Sequence, residues 1–154
     1  MKIIYRLEEV KCFCYDRYDE EYVEKRTIIG HFTTLEKLRN AISVCINNGV
    51  KSSEISISSF FDSFSSNQKY IYILSHQYYL IDGDQYVDYE YIFSPFSNRK
   101  KCLKLKEKLL KERKYALSKE RCYDLQPPDG FYISKQKLDF LYGMAFCNAE
   151  GIKI

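Results

Sequence analysis

Three short patterns in the first half of this chain recur, in the same order, in its second half, and this repetition constrains the fold more than any other feature. Ile4-Tyr5-Arg6-Leu7 returns 67 positions later as Ile71-Tyr72-Ile73-Leu74. The other two matches join the six residues from Ile29 to the six from Phe93, at an offset of 64, and Ile57-Ser58 to Ile133-Ser134, at an offset of 76. The offset falls from 67 to 64 if the second hairpin is three residues shorter, and it rises to 76 if the second helix-to-strand connection is 12 residues longer. We therefore predict an internal duplication of one folding unit.

Each half has the pattern of two strands, a helix and a third strand. In the first half, residues 2–15 and 22–32 are rich in β-branched and aromatic residues on either side of an acidic turn. Thr33 with Glu36 forms a capping-box pattern, and an apolar stripe at helical spacing follows: Leu35, Leu38, Ala41, Ile42, Cys45 and Ile46. Asn47-Asn48-Gly49 is typical of a helix C-terminus. A strand over residues 54–60 completes the unit.

The second half repeats this order. Strands are predicted near 69–81 and 86–94 and a helix over 98–114, and the Pro127-Pro128-Asp129-Gly130 turn precedes a last strand from Phe131. The predicted class is α+β, with duplicated β-β-α-β units that form antiparallel sheets with helices packed on one face.

The predicted division of the chain follows from these units. The first unit takes residues 1–60, a Phe- and Ser-rich seam takes 61–68, the second unit takes 69–139, and 140–154 form a C-terminal segment. Phe60, Phe61 and Phe64 lie in or beside the seam. Because exposing several phenylalanines to water is unfavourable, we expect the seam to be packed and the whole chain to form one compact domain.

The residues of both halves resemble a family of small bacterial and phage domains known only as domains of unknown function. The resemblance rests on the run Ile28-Ile29-Gly30-His31-Phe32-Thr33-Thr34-Leu35-Glu36 entering a helix, and on Pro128-Asp129-Gly130-Phe131-Tyr132-Ile133 followed by Leu138-Asp139. The resemblance covers most of the chain, in two copies. What the resemblance implies is a hairpin–helix–strand fold, and it carries no catalytic residues.

Composition excludes several broad classes. With 45% hydrophobic and 16% aromatic residues, the chain has enough apolar surface for a core, so disorder is not expected. No apolar run reaches the length of a membrane span, and the first residues lack the apolar stretch of a signal peptide. We expect a soluble, cytoplasmic protein with no membrane partner, in which all six cysteines are reduced and hold no metal.

No catalytic set is apparent. His31 and His76 are the two histidines, and each is expected to be structural or on the surface. A cysteine–histidine pair with Cys14 or Cys45 beside His31 is conceivable, but no sequence context fixes it. Phosphate-binding glycine patterns are absent from the sequence. The prediction is a protein that is not an enzyme and has no cofactor.

Charge is strongly segregated along the chain. Residues 99–121 hold 11 basic and 3 acidic residues, whereas residues 8–24 hold 2 basic and 7 acidic residues. The basic helix has a candidate patch at Lys100, Lys101, Lys104, Lys108 and Lys111. Such a patch is either a solvated helix face or a surface for phosphates. It lacks the interleaved aromatic residues that stack on bases.

Tyrosine is the other unusual residue, with 15 in the chain. Tyrosine is frequent in protein interfaces, although it is also an ordinary strand residue. The candidate partner-binding residues come from the two predicted hairpins: Tyr78, Tyr79, Tyr86, Tyr89, Glu20, Glu21 and Asp84. The favoured hypothesis is an inhibitor of the immunity or phage anti-defence (anti-CRISPR-like) kind that binds another protein, such as a toxin, nuclease or defence effector. The alternative is a nucleic-acid-binding accessory protein that uses the basic helix.

Overall fold

Two antiparallel ladders, each built on a long hairpin, organise the computed structural model. The structure describes residues 2–14, 22–82, 85–112, 115, 129–142 and 152–154, with the backbone alone for 12–14, 22–24, 78–82, 85–90 and 152. The strands are β1 (Lys2–Cys14), β2 (Tyr22–Phe32), β3 (Ile55–Asp62), β4 (Tyr70–Asp82), β5 (Gln85–Phe96), β6 (Phe131–Lys137), β7 (Phe140–Leu141) and β8 (Ile152–Lys153). The helices are α1 (Leu35–Asn47), α2 (Arg99–Leu109) and a 3₁₀ turn at Ser52–Glu54. The predicted α+β class is confirmed.

The described chain divides into two compact units. The first contains Met1–Asp62 together with Lys137–Ile154, and the second contains Ser63–Gln136. The first sheet has the order β3-β1-β2-β7-β8, and the second has the order β5-β4-β6. The predicted ranges 1–60 and 69–139 differ from these units mainly near the C-terminus. There β7 pairs with β2 through Gly30 and His31, which assigns the end of the chain to the first unit.

The core of the first unit lies between its sheet and α1. Leu7 and Phe32 from the strands, Ala41 and Cys45 from the helix, and Leu141 from β7 are all fully buried. The helix begins one residue later than the sequence pattern suggested. Its N-cap is Thr34, whose Oγ1 accepts a hydrogen bond from the backbone N–H of Lys37 at 3.2 Å.

The core of the second unit has the same construction. Leu74 from β4, Cys102 and Leu109 from α2, Tyr115 and Phe131 are buried together. The helix α2 is N-capped by Asn98, whose side chain accepts from the N–H of Lys101 at 3.1 Å. It ends at Leu109, five residues before the predicted end.

Equivalent positions of the two halves have equivalent places in their ladders. Tyr5 pairs with Phe32 in the first unit, and Tyr72, 67 positions later, pairs with Phe96, 64 positions later. In each unit the first strand lies between the second and third, and the ladder shifts register shortly after the matched pair. This agreement is one of arrangement, and the duplication itself stays a prediction.

Candidate functional site

In the first unit, the hairpin extends beyond the third strand. β3 pairs with β1 from Lys2 to Glu9, whereas β2 continues to pair with β1 as far as Cys14 opposite Tyr22. Residues 10–14 and 22–26 therefore form a two-stranded extension among the described residues, which we call the first arm.

The second unit has a similar extension. β6 begins at Phe131, whose ring lies 4.5 Å from that of His76, and Lys135 lies over the ring of Tyr70 at 4.1 Å. β6 thus lies along residues 70–77 of β4. The β4–β5 ladder continues past that point to Asp82 opposite Gln85. We call residues 78–82 and 85–89 the second arm; within the described chain it has two strands.

The arms contain or adjoin every predicted partner-binding residue. Tyr78 lies directly opposite Tyr89 in the ladder, while Tyr79 lies opposite Asp88 and Tyr86 opposite Ile81. Because residues alternate across a strand, Tyr78 and Tyr89 occupy positions of one face of the ladder and Tyr79 and Tyr86 positions of the other. Three further predicted residues, Glu20, Glu21 and Asp84, lie outside the described residues.

A tyrosine at the base of the second arm was missing from the predicted set. Tyr91 lies on β5, an edge strand of its sheet, and 55% of it is exposed. Its ring makes an edge-to-face contact with the ring of Phe93, with centroids 4.7 Å apart. An exposed aromatic residue held by an aromatic neighbour loses little entropy on binding, which suits an interface. The sequence signal was its alternation with Tyr89.

The five lysines of the predicted basic patch do not share one environment. Lys100, Lys104, Lys108 and Lys111 are exposed, and no described carboxylate lies within ion-pair distance of them. In contrast, Lys101 is half-buried and its Nζ donates to Ser63 Oγ at 2.6 Å. The structure therefore separates four solvent-facing lysines from one that helps to hold the start of α2.

Another basic residue of α2 anchors the turn before β6. Lys106 Nζ lies 2.5 Å from Asp129 Oδ2, while Asp129 Oδ1 accepts from the N–H of Phe131 at 3.0 Å. The predicted Pro-Asp-Gly-Phe turn thus contributes a carboxylate that holds both its own backbone and the helix. Its role here is structural.

The first unit buries a polar cluster on the sheet face opposite α1. Arg6 Nε donates to His31 Nε2 at 3.0 Å, and Arg6 Nη1 lies 3.8 Å from Glu8 Oε1. All three residues are nearly or fully buried, and the Arg6 guanidinium lies 4.5 Å over the ring of Phe60. Burial lowers the pKa of Arg6 to about 10, although Glu8 opposes this shift. Because Arg6 Nε can only donate, His31 Nε2 is the acceptor of this hydrogen bond.

The described candidates for nucleophilic chemistry are packed in the cores. Cys45 and Cys102 are unpaired, and burial raises the pKa of each thiol to about 11, which disfavours the reactive thiolate. His76 is buried between the rings of Tyr115 and Phe131. Cys14, the other predicted partner of His31, has only its backbone described. No group of three or more potential metal ligands occurs within the described ranges.

No family model, curated protein or solved structure matches this chain. The resemblance to small bacterial and phage domains therefore stays an expectation from the residues alone. Among the helices that the structure describes, none has the length and apolar character needed to cross a bilayer.

Proposed function

We propose that this chain is a non-enzymatic, cytoplasmic protein-binding module that inhibits a partner protein of the toxin, nuclease or defence-effector class. The observation that carries the proposal is the second arm, in which the tyrosine-rich β4–β5 ladder continues beyond the described third strand. A two-stranded ribbon is marginal in water, so a partner that covers it adds stability as well as contact area.

The chemistry of the side chains also supports a protein-binding function. Tyrosine gives a large contact surface with few rotatable bonds, and Tyr91 extends the tyrosine positions of the arm onto described, exposed surface. Five acidic residues fall in the sequence between Cys14 and Lys25, at positions 16, 19, 20, 21 and 24. They suit a partner with a basic surface, as in an enzyme that binds nucleic acid.

Capture from the lysate of the host cell, with site-specific photo-crosslinking, tests the proposal. In the test variants, a photoreactive residue replaces Tyr86 in the second arm or Tyr91 at the base of that arm. In the control variant it replaces Tyr70, at the far end of β4. We expect one protein to crosslink from the first two positions and not from the third. Tyr91→Ser should reduce its capture at least about tenfold, whereas Tyr70→Ser should not. Equal capture by all variants would contradict the proposal.

A second candidate function, binding of nucleic acid through α2, is favoured by one observation. Four exposed lysines, Lys100, Lys104, Lys108 and Lys111, fall within a narrow sector of the helix and its last turn, with no described acidic partner. Lysines in such a stripe can neutralise successive phosphates. The salt dependence of binding, set out below, separates this function from the first.

A further inference from the structure

The outer edge of β3 differs from the other sheet edges that the structure describes. β5 has Asp88, Glu90 and Pro95, β6 has two lysines, and β8 has only two residues. Charges, proline and shortness are the features by which proteins prevent one sheet edge from pairing with another. β3, with the sequence Ile-Ser-Ile-Ser-Ser-Phe-Phe-Asp, has none of them before its last residue.

Within the part of the chain that the structure describes, this edge is also open and apolar. β3 pairs with β1 on one side, and among the described residues no backbone hydrogen bond joins residues 55–61 to anything beyond it. On one face of the strand, Ile57 is 50% exposed, Phe61 is 65% exposed, and Ser59 between them is exposed too. Large apolar side chains beside unpaired backbone groups favour the addition of another strand.

We propose that the occupant of this edge is a second copy of the chain, with the two β3 strands paired antiparallel about a two-fold axis at Ser59. The pairing joins the first sheets of two copies into one continuous sheet. It is independent of the proposed arm interface, because the arms lie on other strands.

The pattern of side chains selects this register. A two-fold axis perpendicular to the sheet keeps each residue opposite one on its own face, so Ser59 at the axis places Ile57 opposite the second copy's Phe61, twice. Asp62 then lies opposite Ser56. A shift of the axis to Ser58 would place Glu54 opposite the second copy's Asp62, two like charges. A shift in the other direction, to Phe60, would leave Ile57 opposite Ser63.

The oligomeric state of the full chain, measured by light scattering after size exclusion at up to about 100 μM, tests the proposal. We expect twice the mass of the 18.4 kDa chain. Ile57→Lys and Phe61→Glu, each alone, should give monomers. A mixture of the two single variants should form a heterodimer, since one contact becomes Lys opposite Glu and the other stays Phe opposite Ile. The double variant should dimerise again, because both contacts then become ion pairs.

Tyr91→Lys, on the edge strand of the other sheet, is the matched control and should leave the mass doubled. A monomeric wild-type chain, single variants that stay dimeric, no recovery in the mixture, or dissociation by Tyr91→Lys would each overturn the proposal. If this edge instead pairs with a strand of another protein, the purified wild-type chain would be a monomer. Hydrogen exchange needs no variant: amide exchange over residues 55–62 should slow as the chain concentration rises, and concentration-independent exchange would also overturn the proposal.

Discussion

At the scale of single residues, the structure buries charged side chains of β1 at positions where the sequence shows only the alternation typical of a strand. Arg6 and Glu8 lie on one face of β1 and are buried with His31, to which Arg6 donates a hydrogen bond. The internal repeat did not predict this cluster, because the residue of the second half that matches Arg6 is Ile73, which is apolar and buried in the core. Whether a strand position is covered by other parts of the fold depends on distant residues, and a local pattern holds no information on that.

The turn before β6 shows a residue-scale requirement for glycine. Gly130 has φ +71, and a Cβ built on it would lie 2.6 Å from the backbone oxygen of Gln77. The two backbones are held together because the N–H of Gln77 donates to the Gly130 oxygen at 2.9 Å. A side chain at this position meets both a conformational penalty and a clash that cannot be relieved by a rotamer change.

We expect Gly130→Ala to lower the free energy of unfolding by about 3 kcal/mol or more in urea denaturation. Gly49→Ala is the control: Gly49 follows α1 with φ +92, but a Cβ there would meet nothing within 4 Å. Its cost should be the conformational penalty alone, about 1 kcal/mol. Equal costs for the two variants would show that the close approach at Gly130 contributes nothing.

At the scale of elements, the sequence predicted most of the fold. The strand and helix order of both halves, the end of α1 within Asn47-Asn48-Gly49 and the α+β class are confirmed. Some helix boundaries were wrong, and two short strands were missed. Thr33 was predicted as the N-cap of α1, but Thr34 has that role, because Thr33 bonds instead to Asp139. β7 and β8 have two residues each, too few to show a periodicity, and they are held by pairing with residues far along the chain.

Asp139 is the residue that joins β7 to the start of α1. Its carboxylate accepts from the N–H and Oγ1 of Thr33 at 2.8 and 3.0 Å and lies 2.6 Å from Lys37 Nζ. Its φ of 62 is a conformation that Asp and Asn tolerate better than other non-glycine residues.

Asp139→Ala should therefore cost about 3 kcal/mol of unfolding free energy, from lost charged hydrogen bonds and from the backbone conformation. Asp139→Asn, which keeps an acceptor and the tolerance for positive φ, should cost about 1 kcal/mol. Glu36→Ala, an exposed change in the first turn of α1, is the control and should stay within about 0.5 kcal/mol. Urea denaturation followed by circular dichroism measures all three, and an alanine variant as stable as the wild type would contradict the role given to Asp139.

At the scale of the whole molecule, the candidate site was predictable in part. Strand alternation and turn residues located the two hairpins, and composition pointed to their tyrosines and acids. The length of each arm was not predictable, because it depends on where β3 and β6 stop pairing with their neighbours. Likewise, the five basic-patch residues follow from the sequence, but only packing separates Lys101, bonded to Ser63, from the four exposed lysines.

This separation makes the choice between the two candidate functions measurable. If Lys100, Lys104, Lys108 and Lys111 contact phosphates, the affinity for a duplex of about 20 base pairs should fall steeply with salt, with a log–log slope near 3.6 for four contacts. Replacing all four by Glu should then abolish binding. The control replaces four other exposed lysines by Glu: Lys25, Lys51, Lys69 and Lys153. These replacements change the net charge equally and should have a much smaller effect.

Under the protein-binding proposal, we expect fluorescence anisotropy to show no sub-micromolar affinity of the wild type for the duplex at about 150 mM salt. Capture of the partner protein should survive both sets of replacements. Tight binding that is lost only with the α2 replacements would instead make α2 a nucleic-acid-binding surface, because charge placement rather than net charge would then determine affinity.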